Sequence, residues 1–202
     1  MRTLLPILVT LSLCVLALQP GHAEVIIPNA EQTKLLRGTF TQEGDTRVVS
    51  GEQDSTGHGP ITYYQVPFRE GTFSASWKVK GEKSVTFILD GAPQGKATHL
   101  LKVIVNGGPG SKNRTNHLTL ITYDGSTRKK KKAKVVRNNH HAAPGEWHQI
   151  SLDIAGDQAT VIIDGKQFSA TSARFSEGID KIGVAHSSGD LQTKQVKIRK
   201  AK

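Results

Sequence analysis

Short runs with an apolar residue at every second position, separated by glycine-bearing turn dipeptides, restrict this chain to β structure. Phe73, Ala75, Trp77 and Val79 form one such run. Val85, Phe87 and Leu89 form another, as do Leu101, Val103 and Val105, Leu118 and Leu120, Ile150, Leu152 and Ile154, Val161 and Ile163, and Val196 and Ile198. A period of two places each set on one face of a strand, facing a shared core. Glu43-Gly44, Glu70-Gly71, Lys80-Gly81, Asp90-Gly91, Asn106-Gly107, Asp124-Gly125, Pro144-Gly145, Asp164-Gly165 and Ser188-Gly189 punctuate the chain as turn formers. Leu100 to Val105 and Val161 to Ile163 carry bulk on both faces, as central strands of a two-layer packing do. The expected fold is all-β, a two-sheet antiparallel β-sandwich of about ten strands. Asn29 to Leu36, with Asn29 as a cap and Gly38 as a stop, is the one helix candidate of the mature chain and is too short to stand alone.

The first 23 residues read as a signal peptide. Arg2 precedes an apolar stretch from Leu4 to Leu16, and Gln19 to Ala23 supply a small-residue cleavage site, so cleavage after Ala23 and a secreted or periplasmic location are expected. Thr10 and Ser12 interrupt the stretch and it falls short of the ~20 residues a spanning helix needs, which argues against a membrane anchor. No later segment qualifies as a span. The expected organisation is therefore a signal peptide over 1–23, a lead-in segment over 24–38 and a single β-sandwich domain over 39–202, acting as a monomer. Cys14, the only cysteine, lies inside the signal, so the mature chain has neither disulfides nor thiolate chemistry. At 36% hydrophobic and 22% charged residues the chain is neither disordered nor a polytopic membrane protein.

Candidate site residues fall into three groups. Asp90, His99, His117 and Asp124 stand at strand ends, where the rim of a β-sandwich could bring them together as catalytic groups or, with a loop carbonyl, as ligands of a divalent ion such as Ca2+ or Zn2+. The competing reading makes Asp90 and Asp124 ordinary hairpin formers ahead of glycine. Tyr63, Tyr64, Lys102 and Tyr123 are the candidate glycan-binding side chains. If Val85, Phe87 and Leu89 point inward, then Thr86, Ile88 and Asp90 share the outer face with Lys102 and Tyr123 from the next strands. Trp77 and Trp147 fall in framework positions and read as core. His140-His141 reads as a solvated loop, and His148 as decoration at the start of a strand. Glu52-Gln53-Asp54 begins a paired-carboxylate pattern but runs into Gly57, so a solvated turn is the expectation.

Charge forms the third group. There are 27 Lys and Arg against 17 Asp and Glu, a net +10, which becomes +9 without Arg2. Arg128, Lys129, Lys130, Lys131, Lys132, Lys134 and Arg137 supply seven of these charges with no acid among residues 128–137. Such a run attracts a polyanion by counterion release. For an exported protein, acidic or sulfated polysaccharide is a more reachable partner than nucleic acid. The alternative is a hairpin loop kept soluble by its charge.

A family resemblance rests on Pro144-Gly145-Glu146-Trp147, the strand from His148 to Ala155, and Val161-Ile162-Ile163-Asp164-Gly165. This segment resembles the paired strands of concanavalin A-like jelly rolls, and more closely the 3-keto-disaccharide hydrolase domain, also described as glycoside-hydrolase-16-like. Glu70 to Trp77 and Ile179 to Val184 are similar to that family's early and late strands. The resemblance, over roughly residues 38–200, implies a jelly roll with carbohydrate as its ligand class. It implies either a hydrolase of oxidised glycosides helped by a divalent ion or a non-catalytic glycan- or polyanion-binding module. A cell-envelope adaptor tethered by the basic run is the third reading. The family's Glu-x-Gln-x-x-Asp segment has no counterpart here; His99 to Asn106, a Gly/Pro loop and His117 to Asp124 stand in its place.

Overall fold

The computed structural model describes residues 23–80, 84–91, 98–106, 117–123 and 133–201. Residues 1–22, on which the expected signal peptide falls, and Asp124 and Arg128 to Lys132 lie outside the described residues. Fifteen strands are found among them, more than the ten expected: β1 Glu24–Ile26, β2 Thr33–Arg37, β3 Thr39–Glu43, β4 Thr46–Gly51, β5 Ile61–Tyr64, β6 Gly71–Val79, β7 Val85–Gly91, β8 Thr98–Val105, β9 His117–Tyr123, β10 Ala133–Asn139, β11 His148–Ala155, β12 Gln158–Ile163, β13 Lys166–Thr171, β14 Lys181–His186 and β15 Gly189–Lys200. The first sheet runs β13-β12-β11-β6-β15-β4-β3, with β1 paired to the end of β15; the second runs β10-β9-β8-β7-β14-β5-β2. Every pairing is antiparallel, so the all-β sandwich reading holds. No helix among the described residues is long and apolar enough to cross a membrane.

Local chemistry explains the one helix candidate that failed. Asn29 Oδ1 accepts from the Gln32 amide at 3.0 Å and Gln32 Oε1 accepts from the Asn29 amide at 3.2 Å, which closes a single turn. From Thr33 the chain instead pairs with β5, trading a marginal helix for interstrand hydrogen bonds. Residues 24–38 thus extend both sheets through β1 and β2.

The alternating residues identified in the sequence meet between the sheets. Phe73 and Trp77 of β6 come from one layer and Tyr64 and Phe87 from the other; the rings stand 6.1 Å (Tyr64–Phe73), 6.3 Å (Phe73–Phe87) and 6.2 Å (Trp77–Phe87, edge-on) apart. This aromatic row bridges the layers with the tilted geometry that such rings prefer. Asp164-Gly165 makes the β12–β13 hairpin with φ of 49° and 79°, the left-handed pair that a two-residue turn requires.

Candidate functional site

Because β7 turns Val85, Phe87 and Leu89 inward, its other residues lie on the outer face of the second sheet. There a cleft of about 200 Å³ has Ile61, Thr86, Ile88 and Ala185 on its floor and Tyr63, His99 and Lys102 among its polar groups. Arg37, His58 and His186 lie around it. Beneath sits Asp90, a buried carboxylate. His99 Nδ1 meets Asp90 Oδ1 at 2.5 Å. A carboxylate only accepts, so Nδ1 carries the proton and Nε2 is the nitrogen left on the cleft side. The Tyr63 hydroxyl lies within reach of the Asp90 charge, and the Tyr123 ring lies 5.8 Å from His99. Tyr63, Asp90, His99, Lys102 and Tyr123 are therefore brought together, as a two-residue period allows across β5, β7 and β9 and as a slip in that period allows on β8.

One of these neighbours was placed by a bulge. Leu89 pairs with Leu101 and Asp90 with His99, which leaves Leu100 as an extra residue on β8. His99 and Lys102 are three apart and strict alternation would send them to opposite faces. The extra residue shifts the phase and aims both outward, while Leu100 and Leu101 both enter the interior. Asp90 is accordingly a strand residue facing its neighbours' side chains and not a hairpin former.

Burial and the Asp90 charge together set the protonation of the cleft. Burial first and then the Asp90 charge push the Tyr63 hydroxyl far above the ordinary tyrosine range. Burial and Asp90 also raise Tyr123. Both phenols stay neutral and serve as rings and hydroxyls. The Lys181 ammonium lies 4.7 Å from the centre of the Tyr63 ring. Gly183 leaves space for that ring, since a Cβ there would stand 2.8 Å from Tyr63 Cε1.

Other sequence candidates go elsewhere. Tyr64 is a correction: alternation sends it into the core once Tyr63 faces out, and it is 4% exposed. His117 shares the outer face but opens β9, and the β8–β9 register sets it at the opposite end from His99, about six residues or ~20 Å along the strand. Among the described residues no three His, Cys, Asp or Glu side chains form a set that could hold a metal ion. Lys134 pairs with Thr122 and Arg137 with Thr119 on the edge strand β10, three apart and so on opposite faces. They do not form one patch.

Asp54 organises a loop at the mouth of the cleft. It accepts from the Thr56 hydroxyl (2.6 Å) and the amides of Thr56 (2.9 Å) and His58 (3.0 Å), and lies 3.2 Å from Arg37 Nε. The Thr56 hydroxyl and His58 amide chiefly hold its pKa at about 2, so it is an ionised loop anchor.

Three readings of aromatic and basic residues are corrected. Trp77 is core, but Trp147 is 37% exposed on the outer face of the first sheet, because it precedes the inward-facing His148. His148 is a buried bridge: Nδ1 reaches Asp164 Oδ2 at 2.7 Å, Nε2 reaches the Ala143 carbonyl at 2.9 Å, and the ring lies 4.8 Å from Trp77. His140 is buried 5.5 Å from the Phe168 ring and is not in a solvated loop; burial lowers its pKa. Sequence reading also missed Arg174. From a 3-10 helix at Ala173–Glu177, its guanidinium donates to the Tyr123 carbonyl (3.1 Å), the Thr98 hydroxyl (2.8 Å) and Glu177, tying the site ends of β8 and β9. Nothing local marks Arg174, since its partners lie 51 and 76 residues away.

No family model matches the chain, and no curated protein matches it. Among solved structures it is similar to the CBM2 module of the evolved Dit protein of Lactobacillus casei BL23 phage J-1, with TM-score 0.61 and 15% identity over 85% of this chain and 91% of that one. It is also similar to the carbohydrate-binding module CBM66 from Bacillus subtilis (TM-score 0.57, 11% identity, 82% and 94% covered) and to an alginate lyase from Pseudomonas aeruginosa (0.56, 8%, 80% and 86%). The fold is thus a jelly roll of the broad lectin and glucanase type. Binding modules and a lyase share it, so fold alone does not choose between them.

Proposed function

We propose that this protein is an exported glycan-binding jelly roll whose ligand lies on the outer face of the second sheet. The observation that carries this reading is the convergence of Tyr63, His99 and Lys102 over the buried Asp90, on a floor of Ile61, Ile88 and Ala185. Tyr63 and the apolar floor suit the C–H face of a sugar ring; the His99 imidazole suits its hydroxyls, and the Lys102 side chain in the lining adds positive charge for an acidic substituent. The carbohydrate-binding modules among its structural neighbours support the ligand class. Export with cleavage after Ala23, and action as a monomer, belong to this proposal.

The second reading is a hydrolase similar to 3-keto-disaccharide hydrolases. Its support is the Asp90–His99 pair, an imidazole oriented by a buried carboxylate as a general base would be. Against it, glycoside hydrolysis ordinarily uses two carboxylates that face the bond. Among the described residues lining the cleft there is no Asp or Glu.

A glycan panel that includes 3-keto-disaccharides and their unoxidised parents tests both readings. Retention without turnover, weakened about tenfold by His99→Ala in a folded protein, is the expected outcome. Release of free sugar from the keto compounds alone would make the protein an enzyme. Adding Ca2+ or Zn2+, then chelator, tests the proposed divalent ion. Replacing Lys129 to Lys132 with Ser tests the basic run, which as a polyanion contact loses heparin-resin retention with a flatter salt slope.

A further inference from the structure

The opposite face of the sandwich carries a second group of side chains that the cleft does not use. Trp147 projects from the first sheet, with the Lys194 ammonium 4.3 Å and the Lys78 ammonium 5.0 Å from its ring centre. Beside them runs a trough of about 250 Å³ lined by Ser74, Ser76, Gln149, Gln195 and Lys197. Asp164 also lines it, but its oxygens are engaged by His148 Nδ1 at 2.7 Å and the Gln149 amide at 2.8 Å. Its side chain is still 36% exposed, one carboxylate against the ammonium groups of Lys78, Lys194 and Lys197, so the net charge of this group is positive.

A bulge builds this face too. Lys194 pairs with Ser76 and Lys197 with Ser74, so Gln195 and Val196 together oppose one residue of β6. Gln195 takes a left-handed φ of 54°, and its Oε1 accepts from the Ser76 hydroxyl at 3.0 Å. Lys194 and Lys197, three apart, would face opposite ways in a regular strand; the extra residue brings both outward. A left-handed non-glycine residue carries a conformational cost, and here it accompanies the alignment of two ammonium groups along one trough.

From this arrangement we infer a second ligand site, for an acidic oligosaccharide, at Trp147, Lys78, Lys194 and Lys197. The indole offers a platform for a sugar ring, the lysines pair its carboxylate or sulfate groups, and Ser76 and Gln149 meet its hydroxyls. An incoming ring displaces an ammonium from the indole, a small cost at an exposed site. The displaced lysine then pairs with the ligand's anionic group. Charge complementarity favours an acidic over a neutral chain. This inference does not depend on the proposed cleft, which lies on the other sheet.

Trp147 is the exposed and Trp77 the buried one of the two tryptophans, so indole emission reports the site directly. The protein would be titrated with oligogalacturonate, with sulfated dextran oligomers and with neutral dextran oligomers. The expected result is a saturable change in emission with an acidic probe, weakened at higher salt. Lys78→Gln/Lys194→Gln should weaken it at least tenfold and His99→Ala should leave it unchanged. Response to only one acidic probe identifies the recognised group as carboxylate or sulfate. An equal response to neutral dextran, no response to either acidic probe, or a response abolished by His99→Ala overturns the inference. Trp147→Leu with unchanged binding by calorimetry would overturn it as well.

Discussion

Two histidine–aspartate pairs in this sandwich have nearly the same length and opposite burial. In Asp90–His99, at 2.5 Å, the carboxylate side chain is 4% exposed and the imidazole 30%. In His148–Asp164, at 2.7 Å, the imidazole is 8% exposed and the carboxylate 36%. The first holds a ring at the mouth of a cleft from below. The second uses a ring as an internal strut: both nitrogens of His148 are engaged by protein and its face packs near Trp77. The lesson is that a His–Asp contact is read by which partner is left facing outward: an imidazole in the first pair, and in the second a carboxylate whose two oxygens are already engaged by His148 and the Gln149 amide.

This contrast can be broken first at His148. His148→Ala should lower stability by about 3 kcal/mol, through a lost side chain against Trp77 and the unpaired Ala143 carbonyl, with glycan affinity unchanged; urea unfolding and calorimetry measure the two. Loss of binding in a folded variant would erase the distinction. Asp90→Asn should do the reverse in kind. It should cost about 1–2 kcal/mol of stability and weaken cleft binding about tenfold, because an amide cannot accept from His99 with the strength of a carboxylate. Gly183→Ala sharpens the picture by moving only the Tyr63 ring. Overpacking of about 1 kcal/mol and a few-fold loss of affinity are expected from thermal unfolding and titration.

The smallest effect concerns imidazoles with no carboxylate hydrogen-bond partner. Burial lowers the pKa of His140 and of His186, whose Nε2 meets the Gly189 carbonyl at 3.0 Å. The unfolded chain takes up protons near the ordinary histidine value of 6.5 while these folded rings resist. Their contribution is intact above that pH and is lost as pH falls through 6.5 toward the folded values. The urea midpoint should therefore drop between pH 7.5 and pH 5, by less in His140→Leu. An unchanged drop would remove His140 as a contributor.

Much of this was legible without coordinates. The inward sets of β6, β7, β8, β9, β11 and β12 follow from alternation alone, and so does the outer-face company of Asp90, Lys102 and Tyr123. Tyr63-Tyr64 was legible only in part, since alternation says that one faces in without saying which. Asp90-Gly91 looked like a turn because local composition favours one, but its pairing with β8 keeps it in a strand. Arg174 was invisible, because its contacts depend on how distant loops close over the ends of β8 and β9.

By itself the sequence determined an antiparallel sandwich, its apolar interior and most of the residues on each outer face, because side-chain direction along a strand follows a period of two. The tertiary structure decided where that period slips. One extra residue at Leu100 and one at Gln195-Val196 shift the phase, so that His99 joins Lys102 on one face and Lys194 joins Lys197 on the other. Which residue is extra is set by the neighbouring strand, since it is the register of the hydrogen-bonded partner, and no property of the bulged residue alone, that leaves it unpaired.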